Sequence, residues 1–96
     1  MDDGTFVAEC FWPGVTEGDL GALDRRATTC AAEATRGGQP VQYLGSILMR
    51  TDEVVLCRFE GGASAVRRVA EAAAIPFDRI VETVQSPLGG ERSEAS

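Results

Sequence analysis

An apolar strand that runs into Pro-Gly and then into a capped helix, all between Trp12 and Leu20 (Trp-Pro-Gly-Val-Thr-Glu-Gly-Asp-Leu), constrains this chain more than any other stretch. Residues 5–12 alternate as a strand does, with Phe6, Ala8, Cys10 and Trp12 on one face and Thr5, Val7, Glu9 and Phe11 on the other. Pro13-Gly14 stops the strand. Thr16 is a good helix N-cap, and Asp19 three residues later completes a short capping box. The helix then repeats apolar or small side chains at Leu20, Leu23, Ala27, Cys30, Ala31 and Ala34, one stripe at helical spacing, until Gly37-Gly38 ends it.

Two β-rich runs follow, Gln42 to Met49 and Glu53 to Glu60, with Arg50-Thr51-Asp52 as the turn of a hairpin. A two-residue turn at Thr51-Asp52 sets Leu48 opposite Val55, Ser46 opposite Cys57 and Leu44 opposite Phe59 on one face. Ile47–Leu56, Gly45–Arg58 and Tyr43–Glu60 then share the other. Gly61-Gly62 releases the chain, and Ser64 is expected to cap a second helix with Val66, Val69, Ala70 and Ala73 inward and Pro76 closing it. A last strand is expected over Arg79 to Gln85. The order β-α-β-β-α-β, with right-handed crossovers, gives an α+β, ferredoxin-like fold: an antiparallel sheet in the order 4-1-3-2 with both helices on one face. The bare face carries Val7, Phe11, Ile47, Met49, Val54 and Leu56, so a second copy of the chain is expected to cover it. Residues 1–85 are read as one ferredoxin-like domain and 86–96, rich in Ser, Gly and Glu, as a disordered C-terminal tail.

The totals narrow the chemistry. With 96 residues the chain has one modest core, and a chain of this size buries only about 60–65% of its unfolded surface, which favours burying more in an oligomer. A net charge of −6 argues against nucleic acid or an anionic membrane as partner, because both attract basic patches. No apolar run reaches the length of a membrane span, and Met1-Asp2-Asp3-Gly4 lacks the positive flank of a signal peptide, so a soluble, cytoplasmic protein is expected. There is no His and no Lys. Imidazole base catalysis, His–metal ligation and lysine Schiff-base chemistry are therefore absent. Nine Arg without a Lys, among abundant Ala and Gly, has the composition of a GC-rich, actinobacterial genome. The three cysteines, Cys10, Cys30 and Cys57, are odd in number and widely spaced, as reduced thiols are.

The stretch Phe6-Val7-Ala8-Glu9, then Trp12-Pro13-Gly14-Val15-Thr16 and Asp19-Leu20, resembles the opening of a family of small ferredoxin-like domains of unknown function typified by a Streptomyces nickel-binding protein. Val55-Leu56-Cys57-Arg58-Phe59-Glu60 is similar to that family's third strand, and Ala73-Ala74-Ile75-Pro76-Phe77-Asp78-Arg79-Ile80-Val81 to the turn into its last. The resemblance implies a homodimer, of the dimeric α+β-barrel type in which two sheets enclose a cavity, and divalent-metal binding. Here the chain departs from the family, because imidazole suits nickel and carboxylate alone suits harder ions.

Strand parity places Glu9, Arg58 and Glu60 on the bare face, with Glu82 of the last strand a weaker candidate to join them in a row across the sheet. A Glu beside an Arg among apolar walls can act as general acid and base, or can simply satisfy buried charge and fix dimer register. Cys10, Cys57 and Cys30 are expected to converge in the core, as small hydrophobes or as a thiolate site. Gly61-Gly62-Ala63-Ser64 reads either as an ordinary loop and cap or as an anion-binding helix start. Trp12 and Tyr43 read as packing residues or as stacking surfaces for a flat ligand.

Taken together, the residues favour a homodimer holding a small organic molecule between its sheets. Glu9 and Arg58 are the polar anchors, and Phe11, Tyr43, Ile47, Met49 and Leu56 the walls, with Glu60 nearby. No cofactor and no metal site is expected. If the chain is an enzyme, acid–base isomerisation or cyclisation suits the inventory, with Glu9 as base and Arg58 stabilising an enolate-like charge. The other readings are a divalent-metal binder and a structural or regulatory dimer without ligand.

Overall fold

The computed structural model describes residues 3–84. Their elements run β1 (Gly4–Phe11), α1 (Glu17–Arg36), β2 (Val41–Met49), β3 (Val54–Gly61), α2 (Ala63–Ala72) and β4 (Arg79–Thr83). One antiparallel sheet has the order β2-β3-β1-β4, and both helices lie against the same side of it. This is the ferredoxin-like arrangement expected from the sequence. The tail expected from Ser86 lies outside the described residues.

Local chemistry sets the elements. Thr16 Oγ1 accepts from the Asp19 N–H at 3.0 Å while Asp19 Oδ2 accepts from the Thr16 N–H at 3.0 Å, so two free donors at the start of α1 are satisfied reciprocally. At the other end Gly38 (φ 95°) donates to Thr35 O and Gln39 to Ala34 O, closing the helix with the two bonds of a Schellman turn. The expected cap of α2 is displaced. Gly62 is the N-cap, with no side-chain bond, and Ser64 falls inside the first turn.

The Trp12-Pro13-Gly14 turn is pinned from the hairpin, where Glu53 accepts from the Trp12 N–H through its carbonyl (2.8 Å) and from the Gly14 N–H through its carboxylate (3.1 Å). Asp78 fastens the opposite edge by donating to Glu9 O (2.7 Å) and accepting from the Phe11 N–H (2.7 Å).

The core lies between sheet and helices. Phe6, Ala8 and Cys10 of β1 and Val55, Cys57 and Phe59 of β3 pack against Leu23, Ala27 and Ala31 of α1 and Val66, Val69 and Ala70 of α2, all of them buried. Arg26 ties the two helices together by donating from Nε to the Ala73 carbonyl at the end of α2, 2.8 Å away.

The hairpin register is as expected from Met49–Val54 through Gly45–Arg58 and then slips by one residue. A bulge between Tyr43 and Gly45, with Gly45 at φ 104°, places Tyr43 rather than Leu44 opposite Phe59, and Gln42 rather than Tyr43 opposite Glu60. A glycine inside a strand is the signal of such a bulge. The extra residue turns Tyr43 from the bare face to the helix side.

Candidate functional site

The uncovered face of the sheet is built by alternate residues of all four strands. Across it run Met49–Val54–Phe11, Ile47–Leu56–Glu9–Arg79, Gly45–Arg58–Val7–Val81 and Gln42–Glu60–Thr5–Thr83. Phe11, Ile47 and Met49 are 61%, 45% and 39% exposed, and Val7, Val54, Leu56 and Val81 are half-buried beside them. This sheet face presents bulky apolar side chains to water.

The charges on this face are distributed differently from the sequence expectation. Glu9 does not pair with Arg58. Its Oε1 accepts from Nε of Arg79 on the neighbouring edge strand at 2.6 Å, and the bond and charge of Glu9 raise the pKa of that guanidinium. Arg58 instead donates from Nη2 to the Leu44 carbonyl at the bulge, 2.7 Å away, and forms no ion pair among the described residues. The guanidinium lies over Gly45, where a Cβ would stand 3.6 Å from Nη2. Arg58 Nε is buried without a hydrogen-bond partner among the described residues. Glu60 is on the open face and exposed.

Two sequence candidates leave this face altogether. Glu82 is opposite Phe6, so it belongs to the helix side at the sheet's edge, and the expected row Glu82–Glu9–Arg58 does not form. Tyr43 packs its ring against Phe59 with centroids 5.1 Å apart, and its hydroxyl donates to Asp24 of α1 at 2.5 Å. Ser46 Oγ donates to the same carboxylate oxygen at 2.9 Å. Burial first, and the bond to Asp24 next, raise the Tyr43 pKa above that of a free tyrosine. Asp24 could have been found from the sequence as an acidic residue four beyond Leu20 on the inward stripe of α1, which demands donors from the sheet. Arg79 and Val81 lacked such a signal, because β4 alternates too weakly to fix its faces without its register on β1.

The thiols divide. Cys10 and Cys57 are fully buried on adjacent strands, while Cys30 is half-buried against the core. Cys57 is opposite Ala8, which makes Cys10 its diagonal neighbour; diagonal Cα atoms lie about 7–8 Å apart, beyond the reach of an unstrained disulfide. The hydrogen bond with Cys10 and then burial push the Cys57 thiol pKa up, so it stays protonated. Among the described residues no group of three or more Cys, Asp or Glu side chains is placed to hold a metal ion, and no helix is long and apolar enough to cross a membrane.

Two clefts lie away from this face. One of about 360 Å³ lies between α1 and α2, with Cys30, Ala34, Arg68 and Val69 in its walls, and another borders Asp24 and Thr28. The sheet face itself is open, so a ligand there is enclosed only if something covers it.

Comparison with known proteins bears on the fold. The chain is similar to SCO4226 from Streptomyces coelicolor A3(2). A crystal structure of that protein superposes with a TM-score of 0.67 at 23% identity, over 88% of this chain and 100% of that one. No family model matches the chain, and no curated protein does. At that identity the likeness carries the βαββαβ architecture and nothing of activity.

Proposed function

We propose that the chain works as a homodimer whose two open sheet faces meet around a small, partly apolar organic molecule. The observation that carries this reading is the apolar open face, with Phe11, Ile47 and Met49 standing in solvent next to Val7, Val54, Leu56 and Val81. Monomeric soluble domains seldom leave a contiguous apolar surface of this kind uncovered, and a second sheet both covers it and supplies the missing wall of a cavity. Isologous pairing places the same residues on both sides, so the apolar rim of one copy meets that of the other.

Binding fits the geometry better than acid–base catalysis does. The candidate base Glu9 is engaged by Arg79 at 2.6 Å, so its carboxylate is held by a neighbouring strand rather than aimed at a substrate. Arg58 and Glu60 remain as the charged groups available to a ligand, with Phe11, Ile47, Met49 and Leu56 as walls. Native mass spectrometry of the freshly purified chain tests the reading. The expected species is a dimer carrying a small-molecule adduct; a monomer at micromolar concentration, or a dimer that never holds a ligand, contradicts it.

A further inference from the structure

We infer that Arg58 of one copy pairs with the partner's Glu60, reciprocally across the twofold axis, and that these ion pairs set the register of the dimer. This rests on the proposal that a second copy covers the open face. The strands of that face carry Glu9, Arg58, Glu60 and Arg79, and these charges divide into pairs of different kinds. Glu9 and Arg79 meet within one chain at 2.6 Å, at the β4 edge. Arg58 and Glu60 share β3 and the same face, yet they do not bond each other. Arg58 turns to the Leu44 carbonyl at the bulge, and Glu60 is exposed, with no ion pair among the described residues. One unengaged cation and one unengaged anion per copy make the face self-complementary, because an isologous contact that joins residue i to residue j also joins j to i.

The apolar side chains orient the second copy. Along the strands the face is graded, from Phe11, Met49 and Val54 at the hairpin end to Glu60, Gln42 and Thr5 at the other. A twofold axis running along the strands lays the apolar end on its own image, whereas one running across them would lay Phe11 over Glu60. The large apolar side chains of β2, β3 and β1 centre on β3, which places the axis over that strand. Facing sheets stand about 10 Å apart, and with β3 over its image the two Arg58 side chains approach each other. That contact alone is unfavourable. The partner's Glu60 is two residues, about 7 Å, farther along the strand, within the span of the two side chains, and pairing there leaves no net charge at the axis.

Mixing chains with opposite single changes tests the pairing. Arg58→Glu and Glu60→Arg are purified separately, their helical circular dichroism is compared with that of the wild type, and homodimers and mixed dimers are counted by native mass spectrometry. Each variant alone opposes like charges across the axis, and its self-association is expected to weaken about ten-fold or more. In the mixed dimer each introduced charge faces its opposite, so the heterodimer should exceed the half share that random exchange gives. Arg58→Gln and Glu60→Gln, which introduce no new charge, should show the same preference to a smaller degree, since only their mixed dimer keeps an intact pair. A pair formed inside one chain gives no such preference. A dimeric wild type whose variants self-associate unchanged, or mix at random, overturns the pairing and leaves the covered face standing. A wild type that is monomeric at micromolar concentration overturns both.

Discussion

The two faces of the β1–β3 pair are made by alternate residues of the same strands and have opposite characters. Toward the helices, Phe6, Ala8 and Cys10 meet Val55, Cys57 and Phe59, all buried, and no polar or charged side chain is buried among the described residues. Small residues let the helices sit close, with Ala8, Ala27, Ala70 and Ala73 each at or near zero exposure. Away from the helices, Val7, Phe11, Val54 and Leu56 are as apolar but larger than needed for a solvated face, and Glu9, Arg79 and Arg58 stand among them. Stability accounts for the first face. The second carries apolar side chains that the described fold does not use, and it is the face on which an interaction is to be sought.

The contrast breaks most visibly in the core. Phe59→Ala removes a fully buried ring that packs on Tyr43 and should cost about 3–5 kcal/mol by urea unfolding. Ile47→Ser on the open face should change unfolding only through the dimer, so its effect should vary with protein concentration. A concentration-independent loss at Ile47 comparable to that at Phe59 would erase the distinction between the faces.

At the border of the helix side, Tyr43→Phe removes the donor to Asp24 and should cost about 1–2 kcal/mol. Folded Tyr43 keeps its proton to higher pH than the unfolded chain does, so its stabilisation is present below about pH 10 and falls as pH rises beyond it. In Tyr43→Phe the fall in melting temperature between pH 9 and pH 11 should flatten. An unchanged slope would place the tyrosine outside the network.

Glu9→Gln should have the smallest effect on melting temperature. Its partner Arg79 is largely in solvent, and exposed pairs contribute little. A large destabilisation that varies with protein concentration would mean that the Glu9–Arg79 pair lies inside the covered interface rather than at its solvent-exposed edge.

Period-two alternation in β1 and β3 was strong enough to assign both faces of both strands, including Glu9, Phe11, Leu56 and Arg58, from residues alone. The hairpin pairing was legible as far as Gly45, because a turn fixes register only until a bulge resets it, and the reset moved Tyr43 away from the site. In β4 the sequence Arg-Ile-Val-Glu-Thr carries no clear alternation, so pairing with β1 alone decides that Arg79 and Val81 share the open face and Glu82 does not. Rotamer choice is further out of reach. That Glu9 turns to Arg79, and that Arg58 turns to a backbone carbonyl, depends on which donors the folded sheet brings close, and charge pattern along one strand does not encode it.

The central claim is that the open face is the one buried against a second copy, and sedimentation equilibrium of the wild type beside Leu56→Arg tests it most directly. Leu56 lies between Ile47 and Glu9 across the sheet, so an added guanidinium there puts one more cation per copy into the apolar middle of a sheet-to-sheet interface. Because Leu56 is half-buried and faces away from the helices, the substitution should leave the helix-covered core folded. The expected result is twice the chain mass for the wild type and the chain mass for Leu56→Arg, with the helical circular dichroism of both alike. A wild-type monomer, or an undiminished dimer of Leu56→Arg, would contradict the account.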